Sequence, residues 1–280
     1  MEYLLKNCMY NIVFCTNLPI FAILLFPTFL SMEHKRAIIM GATSGIGYEV
    51  MKELTKRGWQ VGIAGRRQNL LFEAQRTNLN IVGTECIDIT QDNAADKLRT
   101  LIGKMGGIDL YFHSSGIGHQ NPALDTEIEL KTVETNALGF TRMVNAAFKY
   151  FEENPDKKGQ IAVISSIAGT KGLGASPAYS ATKRYVNHYL ECLEQLIHIK
   201  GIKNIKISDI RPGFVRTALL ADGHNYPFQL DATKVAQEIV DKVERGKSII
   251  TVDWKYRIVV FFWRLVPRWI WVRMKIVSKH

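Results

Sequence analysis

Apolar and polar positions alternate along this chain in blocks that change period. Short apolar runs, Arg36-Ala-Ile-Ile-Met40, Gln60-Val-Gly-Ile-Ala64 and one closing at Cys86-Ile-Asp88, predict buried strands. So do Ile108 to Gly116, Gly159 to Ser166, Ile205 to Ile210 and Ser248 to Val252. Between them the spacing shifts to that of helices. Tyr48 to Arg57 carries Val50 and Leu54 on one face, residues 126–150 form a long helical stretch, and residues 179–199 place Tyr185/Val186, Tyr189/Leu190, Leu193 and Leu196/Ile197 inward. About seven strands with intervening helices predict an α/β fold, a single doubly wound parallel sheet with helices on both faces. Ligands of such sheets lie beyond the carboxyl ends of the strands. The chain is divided as an apolar extension or anchor over 1–31, the doubly wound α/β domain over 32–253, and a basic amphipathic tail over 254–280.

Charge changes this picture little. The net charge is +10, but seven of the basic residues, and no acid, fall in residues 254–280. The body is therefore unremarkable, and a nucleic-acid partner is excluded in favour of a tail property. Four scattered cysteines, Cys8, Cys15, Cys86 and Cys192, give no metal spacing, so no metal site is expected, and they suit a reduced compartment.

Both ends are distinctive. Residues 9–30 are largely apolar, broken by Asn11, Asn17, Pro19 and Pro27. They read as a membrane anchor, as a dispensable extension ahead of Met32, or as a signal peptide without an evident cleavage site. An anchor followed by His34-Lys35-Arg36 would leave the body in the cytoplasm, at the membrane face. Four of the five tryptophans lie in the tail, where Arg257, Arg264, Arg268 and Lys275 share one side of a helix and Pro267 interrupts it. The tail reads as an interfacial helix in peripheral membrane contact, or as packing over the substrate site or in a dimer interface.

The chemistry centres on Tyr179 and Lys183. Four apart on a helix they share a face, and the lysine charge favours the phenolate. Ser166 ends the fifth apolar run. Gly41-x-x-x-Gly45-x-Gly47, between a strand and a helix, suits a pyrophosphate at the helix N-terminus. Arg66 and Arg67 follow the second strand, where an acid would bind a ribose 2′-hydroxyl and an arginine a 2′-phosphate; this favours NADP over NAD.

Together with Asp88, Gly116, Asn136 and Arg211-Pro212-Gly213…Thr217, these motifs make residues 34–252 resemble the short-chain dehydrogenase/reductase family. The resemblance implies a Rossmann-type fold and an Asn136, Ser166, Tyr179, Lys183 catalytic set. Tyr179 would be the general acid/base and Lys183 would lower its pKa and bind the nicotinamide ribose. Ser166 would hydrogen-bond the substrate oxygen, and Asn136 would support a water. The implied cofactor site comprises Gly41, Thr43, Ser44, Gly45, Ile46, Gly47, Arg66, Arg67, Asp88, Ile89, Ser115, Gly116, Tyr179, Lys183, Pro212, Gly213, Val215 and Thr217. Two positions depart from the family pattern. Met40 stands where threonine is usual, and His113-Ser-Ser-Gly116 where Asn-Asn-Ala-Gly is usual; His113 reads as filling the place of a structural asparagine.

The expected activity is interconversion of a carbonyl and an alcohol on a small, apolar substrate with NADPH, NAD remaining possible. Residues 168–178 and 214–230 would wall the pocket, with Leu173, Leu219, Leu220, His224, Tyr226 and Phe228 among them. A homo-oligomer is expected through the helices near 126–150 and 179–199. The alternatives are a silent nucleotide-binding sensor or scaffold, and an NAD-linked dehydrogenase working in the oxidative direction.

Overall fold

A computed structural model describes residues 34–217, 226 and 228–276. The apolar segment 1–31 and the wall residues Leu219, Leu220 and His224 lie outside the described residues.

Seven strands form one parallel sheet: β1 Arg36–Met40, β2 Gln60–Gly65, β3 Ile81–Cys86, β4 Leu110–His113, β5 Gly159–Ile164, β6 Ile205–Arg211 and β7 Ile249–Thr251. Their order is β3-β2-β1-β4-β5-β6-β7, so β1 pairs with both β2 and β4 and the winding reverses between β1 and β4. That reversal opens a crevice at the carboxyl edge. The predicted strands fall where expected, because parallel strands buried on both faces must be apolar almost throughout.

The helices cover both faces. α1 Gly45–Lys56, α2 Gln68–Thr77 and α7 Ala232–Glu244 bring Val50, Leu54, Leu71, Val235 and Ile239 against one side. α3 Ala94–Lys104, α5 Phe140–Glu152 and α6 Pro177–Ile199 bring Leu98, Leu101, Phe140, Phe151, Val186 and Leu190 against the other.

The long helix expected over 126–150 is interrupted. α4 covers Thr126–Val133, and residues Glu134–Gly139 form a π-helical turn before α5 begins. Asn136 lies in that turn, and its side chain bonds to the chain at Ile117 instead of facing solvent. A wider turn is what a tertiary hydrogen bond can impose on a residue that is a poor helix former.

The tail folds as α8 Trp254–Leu265 and α9 Arg268–Trp271, separated at Pro267 as its ring demands. Its inner face packs on the loops after β5 and β6. Tyr256 and Val260 join Ile167, Trp263 donates to Thr170 Oγ1 at 2.9 Å, and Trp271 donates to the Gly172 carbonyl at 2.7 Å.

Phe151 is fully buried, and its ring fills the space beside Gly159, where an added Cβ would lie 2.1 Å from it. Phe151→Ala is expected to cost about 3–5 kcal/mol of stability through the cavity it leaves, measured by urea unfolding.

Candidate active site

Most of the residues singled out from sequence lie at or just beyond the carboxyl ends of the strands. Gly41 directly follows β1 with φ of +90°, and an added Cβ would lie 2.7 Å from the Ser115 amide. Gly47 sits as tightly, 2.3 Å from the Gly41 carbonyl by the same construction. Only glycine allows the β1 and β4 ends and α1 to approach so closely. The Ser44 side chain makes no capping bond to α1, and the first turn has no acid. Those amides and the helix dipole therefore face the crevice as an anion site.

Arg66 and Arg67 diverge. Arg67 turns back onto the glycine-rich loop and donates to Thr43 Oγ1 at 2.7 Å and Ser44 Oγ at 2.7 Å. Arg66 instead lines a cleft of about 490 Å³ with Cys86, Asp88, Gln91, Asp92, Asn93 and Lys97. Asp88 is held by an Asx-type turn, accepting from the Thr90 amide at 3.0 Å and its hydroxyl at 2.8 Å. Ile89 does not present its side chain here. It is buried in the core against Gly139, and its carbonyl accepts from Arg142 at 2.8 Å.

Across the crevice, α6 carries Tyr179 and Lys183. Lys183 is 7% exposed; its Nζ donates to the Ile164 carbonyl at 3.0 Å and stands 5.7 Å from the Tyr179 ring centre. Burial lowers its pKa to about 8 against the opposing pull of the Asp209 carboxylate. Tyr179 is half-buried. Its burial raises its pKa, with the Ser166 hydrogen bond pulling the other way. The lowering expected of this tyrosine is thus outweighed by desolvation, and at neutral pH it holds its proton.

Ser166 also accepts from the Ala168 amide at 3.1 Å, which fixes its rotamer. Asn136 is committed to Ile117. Its Oδ1 accepts from the Ile117 amide at 2.9 Å, and its Nδ2 donates to the Ile117 carbonyl at 2.7 Å and to Thr182. The side chain expected to support a water thus ties the loop after β4 to α6. Gly116 lies between Asn136 and Lys183. His113 is buried at the end of β4, paired with the Tyr111 hydroxyl at 2.9 Å and edge-on to Phe140. Burial drops its pKa to about 3, so the ring is neutral in the pH range where proteins fold, and it fills structural space as expected.

After β6, Thr217 lies against Gly45, while Pro212 and Val215 are buried and Val215 pairs with Leu230. Gly213 faces the Tyr256 ring of α8, 2.2 Å from where its Cβ would be, so its contact is with the tail.

Sequence reading missed three features. Asp209, 4% exposed, accepts from Ser165, the residue before Ser166, from Asn187, one helical turn after Lys183, at 2.9 Å, and from Arg211 at 2.8 Å. An acid inside an apolar strand was its signal. Glu129 of α4 accepts from the Ala178 amide at 2.9 Å and from Asn121 at 2.9 Å, capping the start of α6 from outside. Gly118 packs on the Tyr179 ring, 2.7 Å from an added Cβ.

The family model described as short chain dehydrogenase matches residues 35–225, and the chain belongs to that family of oxidoreductases. Among relatives, it is 30% identical over 245 residues to an uncharacterized oxidoreductase of Myxococcus xanthus, covering 84% of this chain and 94% of that one. It is 27% identical to the rat protein called Dehydrogenase/reductase SDR family member 7B, over 82% of this chain and 77% of that one. A short chain dehydrogenase from Burkholderia cenocepacia, solved in complex with NADP, shares the fold with a TM-score of 0.73 at 18% identity, covering 88% of this chain and 99% of that one.

The buried lysine has a consequence for stability. Its folded pKa of about 8 lies below its ordinary 10.5, so between these values the unfolded chain binds more protons. Relative to Lys183→Met, the wild type is expected to gain stability as pH rises from about 8 towards 10.5, read by denaturant unfolding at each pH.

Proposed function

We propose that the protein is an NADP(H)-preferring oxidoreductase that interconverts a carbonyl and an alcohol on an apolar substrate, with Tyr179 as general acid/base. The observation that carries this reading is the buried Lys183 ammonium beside the ring of Tyr179, whose hydroxyl bonds Ser166.

The residues present fit a nicotinamide dinucleotide. The uncapped start of α1 and the glycines around it would take the pyrophosphate, Asp88 would lie along the cleft, and Lys183 and Gly116 would border the nicotinamide ribose. The bound cofactor supplies the hydride. Arg66, with Lys97 across the same cleft, would take a 2′-phosphate, while Arg67 braces Thr43 and Ser44.

The chain's own part is the proton and the charge. In reduction, Tyr179 Oη gives its proton to the substrate oxygen, and its raised pKa keeps that proton available at neutral pH. Lys183 offsets the phenolate that forms, and Ser166 Oγ donates to the oxygen as charge grows on it. Asn136 and Glu129 are positioning residues, one holding the Ile117 loop and the other the start of α6. The walls near the site are apolar and aromatic. Phe214 lies 4.7 Å from the Tyr226 ring and joins Tyr256 and Ile167, which suits an uncharged substrate. Exposed Leu130, Val133 and Leu138, with Tyr185 of α6, support self-association through this side of the fold.

Tyr179→Phe is expected to lower NADPH-dependent reduction of a carbonyl panel about 10²–10⁴-fold while NADPH binding persists. Equal turnover by wild type and variant would sink the assignment. Arg66→Ala is expected to weaken NADPH binding about tenfold or more and leave NADH nearly unchanged, read by fluorescence titration.

A further inference from the structure

We infer that the outer face of α8 and α9 is a docking surface for an anionic lipid bilayer, so that the substrate site opens beside the membrane. The inference deepens the proposed function, since it names where an apolar substrate would enter.

The two faces of α8 separate cleanly. At 3.6 residues per turn, Tyr256, Val260 and Trp263 point to the fold. Trp254, Ile258, Phe261 and Leu265 recur at spacings of four, three and four on the opposite side, and they are 58%, 47%, 62% and 65% exposed. Phe262 at 62% broadens the stripe, and Trp269 at 65%, Val272 and Met274 continue it beyond Pro267. A helix whose only task was to cover the substrate site would be polar outside.

Charge selects the occupant. Arg257 and Arg264 lie on one flank of the stripe and Lys255 on the other, all exposed, and Arg268, Arg273 and Lys275 follow. Residues 254–276 contain no acid. Basic side chains flanking an apolar and tryptophan stripe can reach phosphate headgroups while the stripe enters the acyl boundary. A second copy of this chain would bring the same positive charge against itself. Among the described residues no helix is long and apolar enough to cross a membrane, so the contact is one of lying on the surface. The same helices touch Thr170, Gly172 and Phe214 on their inner side, the loops beside Ser166 and after β6.

The test uses the full chain and vesicles of phosphatidylcholine, alone or equimolar with phosphatidylglycerol, carrying brominated acyl chains that quench tryptophan. Wild type is expected to be quenched by the anionic vesicles, less so as salt rises, and Trp254→Phe/Trp269→Phe to lose most of that quenching. Phe261→Ser/Leu265→Ser is expected to weaken partitioning about tenfold or more. Arg257→Gln/Arg264→Gln should reduce the salt dependence. Co-sedimentation with vesicles but no quenching would place the contact elsewhere in the chain and overturn the inference. So would a wild-type dimer, seen by sedimentation velocity, that the Phe261→Ser/Leu265→Ser variant dissociates without any vesicle quenching. Turnover of a water-soluble ketone in the same preparations separates the two readings. Its absence in the wild type would sink the proposed reaction whatever the vesicles do. Its survival in the serine variant, alongside weakened partitioning, would confine the defect to the lipid contact.

Discussion

A lysine ammonium buried beside a tyrosine ring is the constraint on which the rest depends. Removing Lys183 from water is unfavourable, and the fold offsets this with one backbone carbonyl, Ile164, and one buried carboxylate, Asp209. Each comes from a central strand, β5 and β6, whose pairing is fixed by a continuous parallel register. Ser165 and Asn187 tie the carboxylate to the residue before Ser166 and to the turn after Lys183. The charge, the hydroxyl and the phenol are thus held by the same buried network. Loosening any part of it would be felt at the others.

The same economy governs the cofactor side. Close backbone approach at Gly41 and Gly47 brings the end of β4 against the start of α1, which leaves helix amides aimed into the crevice instead of capped by a side chain. Arg67, bound to Thr43 and Ser44, stiffens that loop while Arg66 faces the cleft where the nucleotide would lie. Two adjacent arginines, alike in sequence, do different work because the chain turns between the end of β2 and the start of α2.

Much of this was legible from sequence because parallel strands and glycine-rich turns are local patterns. The strand ends, Tyr179, Lys183, Ser166 and the divided tail could be placed from spacing alone. What escaped depended on contacts between distant segments. The π-turn at Asn136 exists because Ile117 takes its amide, a partner nineteen positions away. The capping of α6 by Glu129 joins segments nearly fifty positions apart. The direction of the Tyr179 pKa follows from burial, which no residue spacing reveals. Ile89 and Gly213 were assigned to the cofactor by resemblance; the Ile89 side chain lies in the core and Gly213 packs against the Tyr256 ring, contacts with distant segments that the motif does not record.

The central claim is that Lys183 and Tyr179 act as one unit whose charge state sets the rate. The measurement that tests it most directly is kcat/KM for carbonyl reduction against pH, for wild type and Lys183→Arg. Lys183 carries its charge below about 8 and loses it above, so the wild-type rate should fall as pH rises through about 8. An arginine keeps its charge, so the residual activity of the variant should hold to higher pH. An alkaline limb at the same pH in both proteins would show that the lysine charge does not govern the step.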